Sequence, residues 1–434
     1  MQLNRKTVTV ISVIIIGVLI GVFGFSSKQT PTAVPEKVAG PIQPGADMPP
    51  GHPPVNTGNQ SAAQDAGQQP VKQQVAQQDE GRSGKTPEDP KSKFTHFRVG
   101  NSNVKSIFID GKDVWVGTSA GVIRYNTATD DFRFFDQKDG LISKGIFNIG
   151  KLDGRIAVGT YGGGMSLFDS ATNRWDNYNV PNGLADAFVY KVLKASNGDT
   201  WIATWSGANR IHGADLNDRS KWEVYTVENT NGGLPNDWVY SLAEGPNGEM
   251  WFATEGGPAR FKDGKWQHWN HDKGGIGASY EKIKNDPKFG VDPAQFSQHH
   301  AQQAREMGLE GKSGAGAYNP NYIVSMVVDS DGTVWCGTWG GGLARYDGKK
   351  WRNYTMSDGL PGNLVFMLHR DPGGKLWIGT NNGIAILEGS KFDRKKIKVM
   401  TTKDGLFANT VFSMATAEDG SKWLGSFGGV THLK

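Results

Sequence analysis

Seven recurring positions along the chain carry side chains that could contact a ligand. Each follows a Thr or Ser that ends a repeated motif; they are Ser119, Tyr161, Trp205, Glu255, Trp339, Asn381 and Phe427. The motif residues stay nearly constant between copies, whereas these positions vary among aromatic, acidic and amide side chains. Exposed aromatic rings with a few convergent polar groups suit sugar rings, apolar ligands or a protein partner. The alternative is that the rings only stack on neighbouring glycine turns.

A second group of candidates lies in the links between copies. In a repeat unit of four antiparallel strands, the turn after the second strand and the link to the next unit lie on the same face. The links would therefore add Asn236, Asp237, Trp238, Asn363 and Asn409 to that face. The predicted ligand- or partner-binding site comprises Tyr161, Trp205, Glu255, Trp339, Asn381, Phe427, Trp238, Asp237 and Asn363.

Other residue types that could support chemistry form no convincing site. His299 and His300 are adjacent, so on a helix their side chains diverge by about 100° and make a poor metal pair. Met48 and His52 could ligate copper or haem, but they lie in a Pro-rich stretch where a linker histidine is the simpler interpretation. Cys336 occupies a position that is apolar in the other copies, which predicts a buried residue. We predict no catalytic residue, no metal and no cofactor.

The motif that carries these candidates occurs seven times. The copies, numbered one to seven, begin at Trp115, Ala157, Trp201, Trp251, Trp335, Trp377 and Trp423; three read Trp-x-Gly-Thr and each of the others differs from it at one position. A period of about 40–50 residues with Asp-Gly and Asn-Gly turns is typical of propeller blades of four short strands. The recurring tryptophans are expected to pack between blades. The sequence therefore predicts an all-β, seven-bladed propeller over residues 93–434.

The two ends of the repeat region indicate how the ring closes. The seventh copy ends at Lys434 without an outer strand, and the domain begins with Phe94-Thr-His-Phe97, which has the aromatic spacing of an outer strand. The N-terminal strand is therefore expected to complete the last blade, which would cover its edge.

The interval between copies four and five is about twice the others. Residues 274–321 contain no Trp-x-Gly-Thr, and they read as partly helical, with Asp292 as N-cap, Pro293 at the first helical position and Gly308 at the end. We therefore predict an insertion between blades four and five, rather than an eighth, degenerate blade.

The N-terminal region predicts a membrane tether. Residues 7–25 are uncharged and nearly all apolar, long enough to span a bilayer, and Arg5 and Lys6 precede them. This predicts a single-pass protein of the bacterial inner membrane with its N-terminus in the cytoplasm and its propeller in the periplasm. A cleaved signal peptide is the alternative. Residues 26–92 are rich in Pro, Gln and Gly and should form a disordered linker.

Composition excludes two further classes. The net charge of +4 is spread along the chain, which argues against nucleic-acid binding, and the single cysteine permits no intrachain disulfide.

Two segments resemble a known family. Asp329 to Asp347, together with Tyr354 to Leu360, look like the two-component regulator propeller repeat. The resemblance implies the periplasmic sensor of a hybrid histidine kinase, often for oligosaccharides, although no kinase or receiver segment follows Lys434. A fainter similarity, at Trp251 to Glu255, is to streptogramin lyase propellers, but only this copy carries the glutamate.

These observations predict a membrane-anchored extracytoplasmic sensor or scaffold that is not an enzyme. Its expected partner is a protein of a membrane complex, or an oligosaccharide or other small ligand. The alternative is a lyase or hydrolase with its site near Glu255.

Overall fold

A computed structural model describes residues 84–85, 92–213, 215–286 and 318–434. Their strands form six antiparallel sheets, one of seven strands and five of four. The seven-stranded sheet contains β1 (Gly84–Lys85), β2 (Phe94–Asp110), β3 (Asp113–Thr118), β4 (Val122–Asn126) and β5 (Asp131–Phe135), together with the last two strands of the chain.

The four-stranded sheets follow one another along the chain. The first two contain β6 (Ile146–Leu152), β7 (Arg155–Thr160), β8 (Met165–Asp169) and β9 (Arg174–Tyr178), then β10 (Val189–Lys194), β11 (Thr200–Thr204), β12 (Gly207–Ile211) and β13 (Trp222–Tyr225). The third contains β14 (Val239–Glu244), β15 (Met250–Thr254), β16 (Gly257–Lys262) and β17 (Lys265–His268).

The remaining sheets complete the order. They contain β18 (Asn319–Val328), β19 (Val334–Trp339), β20 (Leu343–Tyr346) and β21 (Trp351–Tyr354), then β22 (Val365–Arg370), β23 (Lys375–Thr380), β24 (Gly383–Glu388) and β25 (Lys398–Met400). The chain ends with β26 (Val411–Thr416) and β27 (Lys422–Leu433), which belong to the seven-stranded sheet.

The prediction of seven blades is wrong, because the described strands form six sheets. The cause is β2, which is 17 residues long and runs without interruption from one repeat copy into another. Its first half pairs with β27 and its second half with β3. The first and seventh copies of the motif therefore share one continuous sheet, and each of the other five sheets contains one copy.

The predicted pairing of the chain ends is observed. Phe94 lies opposite Leu433 and Phe97 opposite Val430, so the N-terminal strand completes the sheet of the last copy. The short strand β1 adds to the outer side of β2 at Phe97 and Arg98. Every backbone group paired in this way is removed from an exposed edge.

The described residues contain no helix long and apolar enough to cross a membrane. The expected anchor at residues 7–25 lies outside the described residues, as does the expected linker apart from residues 84–85 and 92. The insertion begins with two single-turn helices, α1 (His271–Gly274) and α2 (Tyr280–Ile283). The helix expected between Asp292 and Gly308, with His299 and His300, also lies outside the described residues.

The core lies between neighbouring sheets and is built around the motif tryptophans. The six tryptophans of the motif, Trp115, Trp201, Trp251, Trp335, Trp377 and Trp423, are all buried, as predicted. Trp335, for example, packs against Val365, Leu376 and Ile378 of the next sheet. Cys336 is fully buried, also as predicted, and burial raises the pKa of its thiol.

Most links between copies begin with a short 3₁₀ turn. These turns are Gln137–Asp139, Val180–Asn182, Met356–Asp358 and Thr402–Asp404. A fifth 3₁₀ turn, Arg219–Lys221, leads into β13 instead. Each of the four link turns ends at a glycine with positive φ, such as Gly183 at 103°, where a side chain would be strained. The aliphatic residue after each of these glycines is buried. Its packing holds the link against the neighbouring sheet.

The first strand of each copy lies innermost. These strands, β6, β10, β14, β18, β22, β26 and the second half of β2, pack against one another in order and surround a central axis. The functional candidates below are all positioned by the ends of these strands.

Candidate functional site

Each innermost strand has a β-bulge at the same place. The register with the second strand shifts between Val104 and Ser106 in copy one, and between Val189 and Lys191 in copy three, with equivalent shifts in the other copies. A bulge inserts one unpaired residue and re-aims its side chain. The bulged residues are Lys105, Phe147, Tyr190, Tyr240, Val324, Phe366 and Phe412.

The aromatic bulge residues contact one another around the axis. Phe147 and Tyr190 stack with centroids 4.3 Å apart, and Tyr190 meets Tyr240 edge to face at 4.8 Å. Because these rings come from neighbouring innermost strands, their contacts run around the axis rather than within one sheet. We call this set the aromatic belt.

Copy five continues the belt by a different route. Its bulged residue is Val324, and the ring is supplied instead by Tyr322, which lies 4.4 Å from Tyr240. Tyr322 stacks on Trp339 at 5.2 Å. Trp339 contacts Phe366 at 5.7 Å. The belt, which ends at Phe412, is thus formed by Phe147, Tyr190, Tyr240, Tyr322, Trp339, Phe366 and Phe412.

A second row of rings meets the belt at Phe147 and contains three of the predicted site residues. Tyr161 lies 5.4 Å from Phe147 and 4.6 Å from Phe188. Phe188 contacts Trp205 at 4.8 Å, and Trp205 contacts Trp238 at 5.0 Å. The structure therefore brings Tyr161, Trp205 and Trp238 together through Phe188. Tyr161 is exposed, whereas Trp205 is buried.

Glu255 is an acidic group beside the aromatic belt. Its side chain is buried, and the Tyr240 hydroxyl donates to its Oε2 at 3.5 Å. Burial, followed by the charge of Glu255, raises the pKa of Tyr322, and burial is likewise the largest cause of the raised pKa of Tyr240. Both hydroxyls therefore stay protonated at neutral pH and can donate hydrogen bonds.

Lys105 is the cationic group of the belt. Its ammonium lies 4.7 Å from the centre of the Phe147 ring, a cation–π contact. The Lys105 side chain is exposed, but the surrounding protein partly desolvates its ammonium and lowers the pKa of Lys105 to about 8. An aromatic wall with one amine and one carboxylate can hold a polar organic molecule by stacking and by charge.

Two predicted residues already have partners that fasten loops. Asn363 accepts a hydrogen bond from the Met356 N–H at 2.9 Å and donates to Asp286 at 2.7 Å. The Asp237 carboxylate accepts from the Val227 N–H at 2.7 Å. These side chains hold the link loops in place.

The last two predicted residues differ in their surroundings. Phe427 is exposed and lies opposite Asn103 in the pairing of β2 with β27. Asn381 has a buried Oδ1 with no hydrogen-bond partner within the described part of the chain. A ligand hydroxyl or amide could satisfy that oxygen.

Sequence reasoning missed the bulge residues. The signal was present, since the copies align as Val-Lys-Ser, Ile-Phe-Asn, Val-Tyr-Lys and Val-Tyr-Ser, with a variable residue after a constant aliphatic one. Simple strand alternation would place that residue on the face opposite the core, and it does not indicate a bulge. Within the described ranges, no group of three or more His, Cys, Asp or Glu side chains could hold a metal.

The repeats match a known family. Residues 233–256, 317–340 and 359–382 match the family model described as "Two component regulator propeller". The predicted resemblance is thereby confirmed. No curated protein sequence matches the chain.

Several solved structures share the fold at low sequence identity. The extracellular domain of BT3049 from B. thetaiotaomicron, classed with hybrid two component systems, aligns with a TM-score of 0.56 at 16% identity over 77% of this chain. This chain covers only 40% of that domain's length. Virginiamycin B lyase from Staphylococcus aureus aligns with a TM-score of 0.52 at 13% identity, covering 78% of this chain and 98% of the lyase. YCF48 bound to D1 peptide aligns at 0.50 with 11% identity, covering 81% and 99%. At these identities the likeness shows the fold alone.

Proposed function

Because this chain contains two component regulator propeller repeats, we propose that it is an extracytoplasmic sensor or scaffold module that binds a ligand or partner at the aromatic belt. The observation that carries the proposal is the unbroken row of ring contacts from Phe147 to Phe412 around the axis. The bulge itself does not require an aromatic residue, because copies one and five have Lys105 and Val324 there.

The chemistry of the belt favours an oligosaccharide or a comparable polar organic ligand. Sugar rings present an apolar face that stacks on aromatic side chains and hydroxyls that need hydrogen-bond partners. The Tyr hydroxyls and Glu255 supply such partners beside the rings. Lys105 adds a positive charge that would favour acidic sugars.

The proposed setting is the bacterial periplasm, with residues 7–25 as a single anchor in the inner membrane. The uncharged, apolar run preceded by Arg5 and Lys6 supports this orientation. A protein in this position can present the belt to molecules that enter the periplasm, or to a partner in the same membrane.

A non-enzymatic role is part of the proposal. The likeness to virginiamycin B lyase is one of fold, and fold does not imply activity. Turnover of a bound ligand that is lost in Glu255→Gln while binding is retained would instead identify a lyase or hydrolase near Glu255.

The test is a titration of the full-length protein in lipid nanodiscs with a panel of neutral and acidic oligosaccharides. Binding is measured by tryptophan fluorescence and by calorimetry. We expect saturable binding by the wild type. Binding should weaken about tenfold in the double variant Phe147→Leu/Tyr190→Leu, because two aromatic rings that would stack on the ligand are replaced by aliphatic side chains. Val224→Ala on the exposed outer strand β13 is the control and should bind as the wild type does.

Equal binding by the double variant and the wild type would place the ligand elsewhere and contradict the proposal. If no oligosaccharide binds, affinity capture from solubilised native membranes tests the partner form of the proposal. A protein retained by the wild type and lost from Trp205→Ala/Trp339→Ala supports that form, and retention by neither contradicts it.

A further inference from the structure

A cavity of about 450 Å³ lies between the first and last copies of the seven-stranded sheet, and none of its lining residues belongs to the aromatic belt. One wall is formed by Phe97 and Trp423, and the other by Ile123, Tyr125, Phe132 and Phe134. Its lining is mostly apolar, with Lys85, Arg98 and Asp130 as the charged residues. The volume falls in the range of about 300–1,000 Å³ that is typical of small-molecule sites.

The other six junctions between copies show how this space is normally filled. Each link carries a glycine followed by Leu or Ile, and that side chain is at most 4% exposed. The six residues are Leu141, Leu184, Leu234, Ile276, Leu360 and Leu406. Each packs into the core between two sheets, as Leu184 does with Met165, Leu167 and Val189. We call these residues the aliphatic plugs.

The junction between the last and first copies is built without a plug. Here β2 continues directly from the outer strand of one copy into the innermost strand of the next, so there is no link loop. As a result Phe97, Val99, Ile123 and Tyr125 stay partly exposed. The residues equivalent to Ile123 in the other copies are fully buried; they are Ser166, Asn209, Ala259, Ala344, Ala385 and Thr431.

The wall of the cavity is also chemically different from those of the other junctions. In copies two, three and seven, the residue after the plug donates its N–H to a side chain of the sheet. These bonds are Ile142 to Ser166 at 3.1 Å, Ala185 to Asn209 at 2.8 Å and Phe407 to Thr431 at 2.8 Å. In copy one the corresponding residue is Ile123, which cannot accept a hydrogen bond. In copies four to six the equivalent residue is alanine, which also offers no acceptor, so Ile123 differs from all six equivalents by its larger aliphatic side chain. This wall therefore suits an aliphatic chain.

The mouth of the cavity combines apolar and polar groups. Phe132 is 61% exposed and Phe134 42% exposed, which is unusual for rings of this size. At the edge, Lys85 pairs with Asp130 at 3.5 Å, and the Tyr125 hydroxyl donates to Asp130 at 2.6 Å. An apolar pocket with one polar edge is the arrangement that an amphiphilic molecule requires.

We propose that this cavity binds the aliphatic chain of a single-chain amphiphile, with an uncharged head group beside Lys85 and Asp130. The chain occupies the space that the aliphatic plugs occupy at the other junctions. This site is separate from the aromatic belt, so the two proposals succeed or fail independently.

The test is photolabelling of the full-length protein in native membranes with a 1-dodecanol analogue that carries a diazirine in its chain. Peptide mapping is expected to place adducts on residues 94–99 and 116–134. Val99→Trp fills the cavity and Phe134→Asp puts a charge at its mouth, and each should reduce labelling at least tenfold. Phe134 is exposed, so the second variant does not depend on repacking the core.

The matched control is Val399→Trp, because Val399 is exposed and occupies the position in copy six that Phe134 occupies in copy one. It should label as the wild type does. Competition by excess 1-dodecanol supports a free single-chain ligand. Competition by phosphatidylglycerol vesicles alone, adducts outside the two peptides, or full labelling of both cavity variants would overturn the proposal.

Discussion

Lys105 illustrates how one side chain acquires its properties from neighbours far away in sequence. It occupies the bulge position that is aromatic in five other copies, and its ammonium lies over the ring of Phe147 from the next copy. The enclosing protein disfavours its charged form, so its pKa is lowered to about 8 from the ordinary value of 10.5. Near neutral pH it is still mostly protonated, and it can attract anionic groups to the belt.

This lowered pKa predicts a pH dependence of stability. Between about pH 8 and pH 10.5 the unfolded chain holds a proton on Lys105 that the folded protein has released, so folding becomes more favourable as pH rises. Below pH 8 both states are protonated, and the folded state bears the cost of a partly desolvated charge, reduced by solvent screening because the side chain is exposed. We therefore expect Lys105→Met to be more stable than the wild type at pH 7.

The measurement is thermal unfolding of both proteins from pH 6.5 to pH 10. The Tm difference between them should shrink steadily above pH 8. Lys151→Met is the control, since Lys151 pairs with Asp110 at an exposed position and should show no such trend. A pH-independent difference would show that Lys105 is solvated as an ordinary lysine.

At the scale of elements, the links between copies fasten one sheet to the next. The 3₁₀ turn Val180–Asn182 ends at Gly183, and the plug Leu184 then enters the core between two sheets. Asn209 of the next sheet accepts from the Ala185 N–H and donates to the Gly183 carbonyl, so the loop is held on both sides of the plug. The link is therefore a packing element as well as a connection.

Leu184→Ala should destabilise the protein by about 3 kcal/mol, because it leaves a cavity among well-packed apolar neighbours. Val180→Ala is the matched control in the same turn; Val180 is exposed, and its truncation should change stability by less than about 0.5 kcal/mol. Urea denaturation of the two variants measures both values. Equal effects would mean that the plug contributes no more than a surface residue.

At the scale of the whole molecule, the ring is held together by one long strand. Phe94 to Arg98 and Asn103 pair with β27, and Val104 to Asp110 pair with β3, so the two ends of the repeat region are joined by backbone hydrogen bonds. His96 Nε2 lies 3.0 Å from the Gly405 carbonyl, which fastens the same strand to the preceding link. Removing this strand would expose the edge of the last sheet.

A chain that begins at residue 101 should therefore lose cooperative unfolding and aggregate at lower temperature than a chain that begins at residue 84. The longer chain keeps β1 and the closing strand, so it is the appropriate control. Calorimetry and light scattering measure the two effects. A single sharp transition at the same temperature in both proteins would show that closure is not needed for the ring.

The sequence by itself determined the features that depend on local pattern. Repeated Trp-x-Gly-Thr strands, glycine turns and the aromatic spacing of Phe94 and Phe97 predicted an antiparallel propeller, the burial of Cys336 and the tryptophans, and the pairing of the chain ends. Each of these follows from side-chain alternation along one strand or from a turn residue. Neither requires knowing which strands contact one another in the folded protein. The roles proposed for the belt and the membrane anchor stay predictions.

Only the tertiary structure decided the features that depend on contacts between copies. The seven motif copies lie in six sheets, because β2 continues from the last copy into the first. The bulges turn Tyr190 and Tyr240 toward the axis, which alternation alone does not indicate. Asp237 and Asn363 hold loops in place by hydrogen bonds to backbone N–H groups, and no sequence motif predicts those hydrogen bonds. The continuous sheet and the ring contacts of the bulged residues join parts of the chain that are distant in sequence, and the repeat pattern does not specify those contacts.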